Sequence, residues 1–285
     1  MGGMLGRMDW LGNTLFIGSA TLFLVAVSWG GLRYSWSSAG TLVPLSLGAM
    51  YGQLYYVPLY FMDVKGFTPT LTGVALLPVM FTLVPASIVT GWLVTVSNNY
   101  QWPIWSGWTL ATVASGLMLI WDADTSAKIW VPTLVLLGLG HGSILNAQNM
   151  ASHALCEEGD ESIAAGMYAS LRQGGMALGV GVGGSIFQNV MQLKLERDGL
   201  PSAGTYGGTH AITSILSAST DDSMQSQILD AYVYGLRGVY GLYVGVSGAA
   251  LLMSLLIKGV SLDKESRSKH RVHATAVGHN SIEQI

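Results

Sequence analysis

The stretch Ala169–Gly184, "ASLRQGGMALGVGVGG", places an arginine and a glutamine ahead of six glycines in eleven residues. Its reading decides the fold. Gly179, Gly181 and Gly184 formally match the dinucleotide pattern G-x-G-x-x-G. That fingerprint needs a preceding strand, a tight turn, a following helix and an acidic residue about 20 positions on. None of that context is present. The segment upstream, "IAAGMYASLRQ", is helical in character, and the glycines lie inside the apolar stretch Ile163–Val190. On a helix, Arg172, Gly175, Gly179 and Gly183 fall on one face. Glycines four apart allow a second helix to approach closely, so the run is expected to be a packing groove and not a phosphate cradle.

The composition agrees. The chain has 285 residues, 50% of them hydrophobic and 10% charged, with a mean hydropathy of +0.45. A soluble domain carries roughly 25% charged residues, so this chain cannot solvate its own surface and calls for a lipid bilayer as partner. The formal net charge is −3. No basic patch points to nucleic acid. The single cysteine, Cys156, sits in "CEEGDE", where acids raise a thiol pKa and leave it inert. One cysteine also excludes a disulfide framework and a multi-cysteine metal site. No metal or cofactor is expected.

A spanning helix needs roughly 20 predominantly apolar residues. Seven stretches qualify: Trp10–Trp29, Thr41–Phe61, Leu71–Val94, Trp102–Trp121, Ile129–Gln148, Ile163–Val190 and Val239–Ile257. Charges fall between them, and Trp10, Trp29, Tyr34, Trp36, Trp102, Trp121 and Trp130 sit near their ends, as interfacial rings do. In lipid the backbone must satisfy itself, so these stretches are helices. The fold class is all-α and polytopic. Residues 193–236 read as a long polar loop with room for a short amphipathic helix near "DDSMQSQILDAYVYGL". The tail, residues 258–285, opens with "KGVSLDKESRSKHRVH", and its basic residues directly after the last span place it in the cytoplasm.

Polar residues inside the spans are the candidates for function. Arg172 lies in hydrocarbon, where insertion scales charge about 2.5–3.5 kcal/mol for it, so it is expected to face the bundle interior or a water-filled cavity. It either lines a pathway or braces two helices. The preceding span carries "GLGHGSILNAQN", in which Gly138, Gly142, Asn146 and Asn149 share a face with His141 and Gln148 beside it. The glycines suit close packing, and Asn146 is the stronger candidate for a polar cavity. For His141 an interhelical hydrogen bond is favoured. Pro78 and Pro85 are expected to bend the span Leu71–Val94. No span contains an aspartate or glutamate, so a titratable carboxylate for coupling is not expected within them.

Three segments together resemble one family. "YYVPLYFMDVKGFTPTLTGVALLP" (Tyr55–Pro78), "GLGHGSILNAQN" (Gly138–Asn149) and "MYASLRQGGMALGVGVGGSIFQN" (Met167–Asn189) look like the C-terminal half of fungal major facilitator transporters, in the branch of fourteen-helix drug:proton antiporters. "DWLGNTLFIGSATLFLVAVSWGG" (Asp9–Gly31) looks like the first of the two extra helices that join the halves in that branch, and "YQWPIWSGW" (Tyr100–Trp108) like its usual approach to the following span. The resemblance implies a linker helix and loop over residues 1–40, a C-terminal helix bundle over 41–257, and a multi-pass protein of the plasma membrane. It implies export of small amphipathic molecules. This sequence departs from the pattern in lacking the first six helices and their signature motifs. "TLVPLSLG" also runs straight into "AMYGQLYYVPLYF", where the family has a further helix and loop. A missing N-terminal half is therefore an expected partner. The alternative is a fragment that inserts without transporting.

Other function classes fit less well. The last span, "VYGLYVGVSGAALLMSLLI", has no lysine for a retinal Schiff base, and one cysteine cannot staple receptor loops. No nucleophile–base pair or metal-ligand spacing marks an enzyme.

Overall fold

The computed structural model describes residues 39–155, 161–200 and 222–255. The expected span Trp10–Trp29, Cys156 and the basic tail lie outside them. Seven helices follow in chain order: α1 Ala39–Leu59, α2 Pro69–Ala75, α3 Leu77–Ser97, α4 Gln101–Met118, α5 Ala127–Leu155, α6 Glu161–Arg197 and α7 Asp222–Ser254. No strand occurs among the described residues.

Local chemistry sets the helix ends. After Pro58, α1 widens into a π-turn over Tyr60–Val64, with the Lys65 amide donating to the Tyr60 carbonyl. Gly66 then stops the helix at φ +64°, a left-handed conformation that costs a glycine nothing. Thr68 caps α2, its hydroxyl accepting from the Leu71 amide at 3.3 Å ahead of Pro69. Asn98, at φ 50°, closes α3, and Gly199 closes α6. The long apolar stretch 71–94 is broken between α2 and α3, and Pro78 stands in the first turn of α3, not inside a bent helix. Its missing amide is harmless there. Pro85 does lie inside α3.

The helices pack as two sets of three. α1, α6 and α7 lie on one another, and α3, α4 and α5 form the second set. The first set thus brings an early helix together with the two latest, and the second is consecutive in the chain. The sets join firmly where α4 lies against α7, and only sparsely where α5 passes α6 and α1. On the firm side Gln53 of α1 is fully buried, accepting from the Ser115 hydroxyl at 3.1 Å and directing its amide at Met118 Sδ.

Glycines control the closest approaches. Buried positions on α6 recur every four residues: Leu171, Gly175, Gly179, Gly183, Phe187, Met191 and Leu195. A Cβ at Gly183 would lie 2.8 Å from the Tyr56 ring, whose hydroxyl donates to the Val180 carbonyl at 2.5 Å. A Cβ at Gly52 of α1 would lie 3.1 Å from the Gly179 backbone. Gly181, by contrast, faces open space. The helix runs unbroken through the whole glycine run, so no nucleotide loop exists here. On α5, a Cβ at Gly142 would meet the Leu83 carbonyl of α3 at 2.3 Å, and one at Gly140 the Ala111 amide of α4 at 2.8 Å.

The outer surface is that of a membrane protein. Along α3, Leu77, Phe81, Val84, Ile88 and Trp92 form one exposed apolar stripe, with Phe81 71% and Trp92 64% exposed. Soluble monomers rarely leave so large a patch in water. Among the described residues, Pro69–Ser97, Ala127–Ser152 and Met224–Ser254 are long and apolar enough to cross a bilayer.

Two expectations need correcting. The polar loop expected over 193–236 is helical at both ends, because α6 continues to Arg197 and α7 begins at Asp222. Ile228, Tyr232 and Leu236 are buried at four-residue spacing, which carries α7 out to that length. Trp121 is no interfacial ring: it is 1% exposed, packed between Tyr60 at 4.8 Å and Tyr240 at 6.1 Å.

The contrast within one glycine run is testable. Gly183→Ala is expected to lower the detergent-solubilised thermal midpoint, at an overpacking cost of about 1–3 kcal/mol. Gly181→Ala is expected to leave it unchanged or raise it, since alanine is the better helix former by roughly 0.8–1 kcal/mol. Equal effects at the two positions would contradict the packing described.

Candidate functional site

α5 presents three different faces. Gly138, Gly142 and Asn146 face α3, where Asn146 Nδ2 donates to the Ser87 carbonyl at 2.6 Å. Gly140 and Ile144 face α4, meeting Gly107 and Ala111. His141 and Leu145 turn the third face to α1 and α6: the His141 ring meets Tyr51 of α1 edge-on at 5.1 Å, and the Tyr168 hydroxyl of α6 donates to the Leu145 carbonyl at 3.1 Å. Gln148 lies seven residues beyond His141, two helical turns along that face.

This third face is set apart from the one that carries Asn146. Asn146, the expected cavity amide, has its donor committed to a helix brace. His141 instead stands at the sparse seam between the two helix sets. Its Nδ1 donates to the Leu137 carbonyl at 2.9 Å, which puts the neutral ring's proton on that nitrogen. Nε2 turns toward the Met50 backbone without forming a well-made hydrogen bond. Asn149 is half-buried.

Gln148 is the outlier. It is 3% exposed, yet neither its amide nitrogen nor its oxygen has a hydrogen-bond partner. The Tyr51 hydroxyl is likewise buried and unpartnered. Arg172 is half-buried at the edge of the α6 glycine ladder, its guanidinium carbon 5.9 Å from the Tyr168 ring centre. Gly175 and Gly179 are buried on that ladder beside it. The seam thus gathers Tyr51, His141, Gln148, Tyr168 and Arg172 from α1, α5 and α6. Tyr51 and Tyr168 carried no sequence signal, because a tyrosine in an apolar helix reads as ordinary packing.

A second polar group closes one end of the bundle. Tyr232 of α7 donates to Asp63, which the π-turn presents at the end of α1. Arg237 pairs with Asp122 at 2.5 Å, Lys65 donates to the Ala123 carbonyl at 2.5 Å, and Lys194 bridges Asp198 and Asp230 at 3.1 Å each. Hydrogen bonds from Lys194 to Asp198 and Asp230 raise its pKa, whereas desolvation lowers that of Lys65. These ion pairs and hydrogen bonds tie helices together, although Arg237 Nε, the Tyr240 hydroxyl and Trp121 Nε1 beside them are buried without a partner.

Comparisons with known proteins give this helical bundle a family. The Major Facilitator Superfamily model matches residues 15–180. The chain belongs to the major facilitator superfamily. It is 32% identical to the MFS transporter L2 of a Phoma species over 306 residues, covering 92% of this chain and 51% of that protein. It is 25% identical to the efflux pump FUS6 of Gibberella fujikuroi, with 92% and 56% covered. It is 28% identical to the MFS efflux transporter aclA of Aspergillus oryzae, with 90% and 54% covered. The chain spans about half the length of these major facilitator relatives. Internally it is shorter too. The Phoma alignment runs over 306 positions while 92% of 285 residues take part, leaving about 40 positions without a counterpart in this chain. That is enough for one 20-residue span and a connecting loop.

The unpartnered amide makes a sharp stability test. Replacing a buried, unsatisfied polar side chain by an apolar one of similar shape is neutral or stabilising by about 1–3 kcal/mol. Gln148→Leu is therefore expected to hold or raise the thermal midpoint. Asn146→Ala is expected to lower it, by about 0.6 and at most about 1.7 kcal/mol for an interhelical bond in a membrane protein. A marked loss of stability in Gln148→Leu would mean that the amide is bonded after all.

Proposed function

We propose that this chain forms one helix bundle of a plasma-membrane exporter of small amphipathic molecules, and that the α1–α5–α6 seam is part of the substrate path. The observation that carries this is the buried, unpartnered Gln148 amide, on the same face of α5 as His141, which meets Tyr51. Each such group costs about 1–3 kcal/mol when left unmet, and four of the nine buried side-chain polar atoms without a partner among the described residues belong to Tyr51, His141 and Gln148. Transporters place substrate near the membrane midplane, at the interface of two helix repeats that rock against each other. The sparse contact between the two helix sets at α5, α6 and α1 suits a surface that must meet a ligand. Asn146, Gly138 and Gly142 act in this scheme as the brace that keeps α5 on α3. Export is the direction named for relatives such as the efflux pump FUS6 and the efflux transporter aclA.

The second reading is a bundle that inserts into the membrane but transports only with a complementary half. The span of about half the relatives' length favours it. The two readings separate in one assay: accumulation of a fluorescent amphipathic dye in yeast cells depleted of their own drug exporters. The chain is expressed alone, or with the N-terminal half of the Phoma relative. Lowered accumulation with the chain alone supports autonomous transport. Lowering only on co-expression supports the half-transporter. In whichever arm is active, Arg172→Ala and Gln148→Leu are expected to slow export by roughly tenfold or more, the equivalent of one hydrogen bond to a charged group. Wild-type export by both variants would remove the seam from the path.

A further inference from the structure

The charges of the described residues are unevenly distributed along the bundle. Asp63, Asp122, Asp198 and Asp230 stand at one end, among Lys65, Lys194 and Arg237. Arg172 lies 22 residues before Lys194 on the same helix, about 33 Å away along its axis. Among the described residues no carboxylate pairs with it, and the neighbours it does have are phenols: the Tyr168 ring and Tyr51. A guanidinium set in a membrane span without a counter-ion is costly. A π face at 5.9 Å offsets only part of that cost. The other groups of the seam cannot make up the remainder, because Tyr51, Gln148 and His141 are neutral.

Counted by chemistry, the seam has a surplus of donors. Arg172 brings five N–H groups in a planar fork, Tyr51 one O–H and Gln148 two amide N–H, and against these stand only neutral acceptors. The planar fork matches a carboxylate or a similar anionic oxygen pair in two parallel hydrogen bonds. The rings of Tyr51, Tyr168 and His141 frame an apolar, π-rich surround for the rest of such a molecule. A cation entering the same place would meet a like charge with no carboxylate to compensate it.

Taking the seam as the substrate path, we infer that it selects amphipathic anions, small molecules that carry a carboxylate or an equivalent oxyanion on an aromatic or apolar body, and that it rejects cations. Arg172 is the residue that sets this choice, and Tyr51 and Gln148 orient the bound group. The selectivity is a property of the path itself and is independent of which end of the bundle faces the cytosol.

The test uses the full chain in nanodiscs of phosphatidylcholine and three probes of one shape: 2-naphthoate, 2-naphthamide and 2-naphthylmethylammonium. Binding is measured by equilibrium dialysis against empty nanodiscs, and each variant is first checked for an unchanged thermal midpoint and a single gel-filtration peak. The expected result is that 2-naphthoate binds about tenfold or more tightly than the amide and the amine. Arg172→Gln is expected to abolish that preference, and Arg172→Lys to restore part of it, since lysine keeps the charge but not the fork. An amine that binds as tightly as the carboxylate, or a carboxylate affinity unmoved by Arg172→Gln, would overturn the inference. If the preference is absent but Gln148→Leu still weakens the neutral amide, the anion selectivity falls and the substrate path stands. If no probe distinguishes wild type from Gln148→Leu, both fall. Loss of 2-naphthoate binding on adding phosphatidylserine to the nanodisc would assign Arg172 to a lipid headgroup and overturn the small-molecule reading.

Discussion

Helices in a bilayer gain nothing by hiding leucine from lipid, so the distance at which their backbones meet decides whether they associate. In this bundle that distance is set at a few glycines. Gly138 and Gly142 let α5 sink onto α3, Gly140 seats it on α4, and Gly183 opens the space that the Tyr56 ring fills. Each of these contacts would be lost to a single methyl group. The tight contacts follow the two helix sets, α1–α6–α7 and α3–α4–α5, and the seam where α5 passes α6 has no comparable backbone contact. Gln148, whose amide nitrogen and oxygen are both unpartnered, lies on the face of α5 turned to this seam.

This partition explains why residues two positions apart behave so differently. Asn146 and Gln148 are both amides on α5, two positions apart. A rotation of about 200° separates them, given 3.6 residues per turn. Asn146 therefore meets the Ser87 carbonyl of a tightly packed partner, whereas Gln148 looks toward the loosely packed seam. A hydrogen-bonded amide holds two helices together. An unbonded one holds a place open for something else. The same logic separates the ionic group at the end of α1, α4, α6 and α7, where Lys194 and Arg237 are paired with carboxylates, from Arg172, which has an aromatic face and, among the described residues, no counter-charge.

Much of the fold could be read from the residues because hydropathy and helical period are local properties. The interruption of the G-x-G-x-x-G match by helical context was one such reading, and the face carrying Gly175, Gly179 and Gly183 was another. What could not be read depended on neighbours. Spacing places Gly138, Gly142 and Asn146 on one side of α5, but not which helix lies there. Spacing consequently did not show that Asn146 meets the Ser87 carbonyl and His141 the ring of Tyr51. Trp121 stands at a helix end and so resembled an interfacial ring, although the end of α1 and Tyr240 of α7 enclose it. The amphipathic helix expected near Asp222 was legible, but its continuity with the last span was not, because a polar, serine-rich start precedes the buried Ile228, Tyr232 and Leu236.

The seam also bears on how such a bundle could move without coming apart. The firm junction of α4 and α7 holds the two helix sets together through contacts such as Trp105 Nε1 donating to the Ser254 carbonyl at 3.0 Å. The opposite side is joined by few contacts, and its polar groups are unsatisfied in the structure as it stands. A ligand that satisfied the Gln148 amide, the Tyr51 hydroxyl and Arg172 would therefore stabilise a particular spacing of the sets on that side alone. Its effect on the bundle is bounded by its differential affinity for the two spacings. A seam with unmet polar groups enlarges that difference, and a seam filled with leucine would abolish it. The instability at Gln148 is thus the property by which a bound molecule can act on the protein.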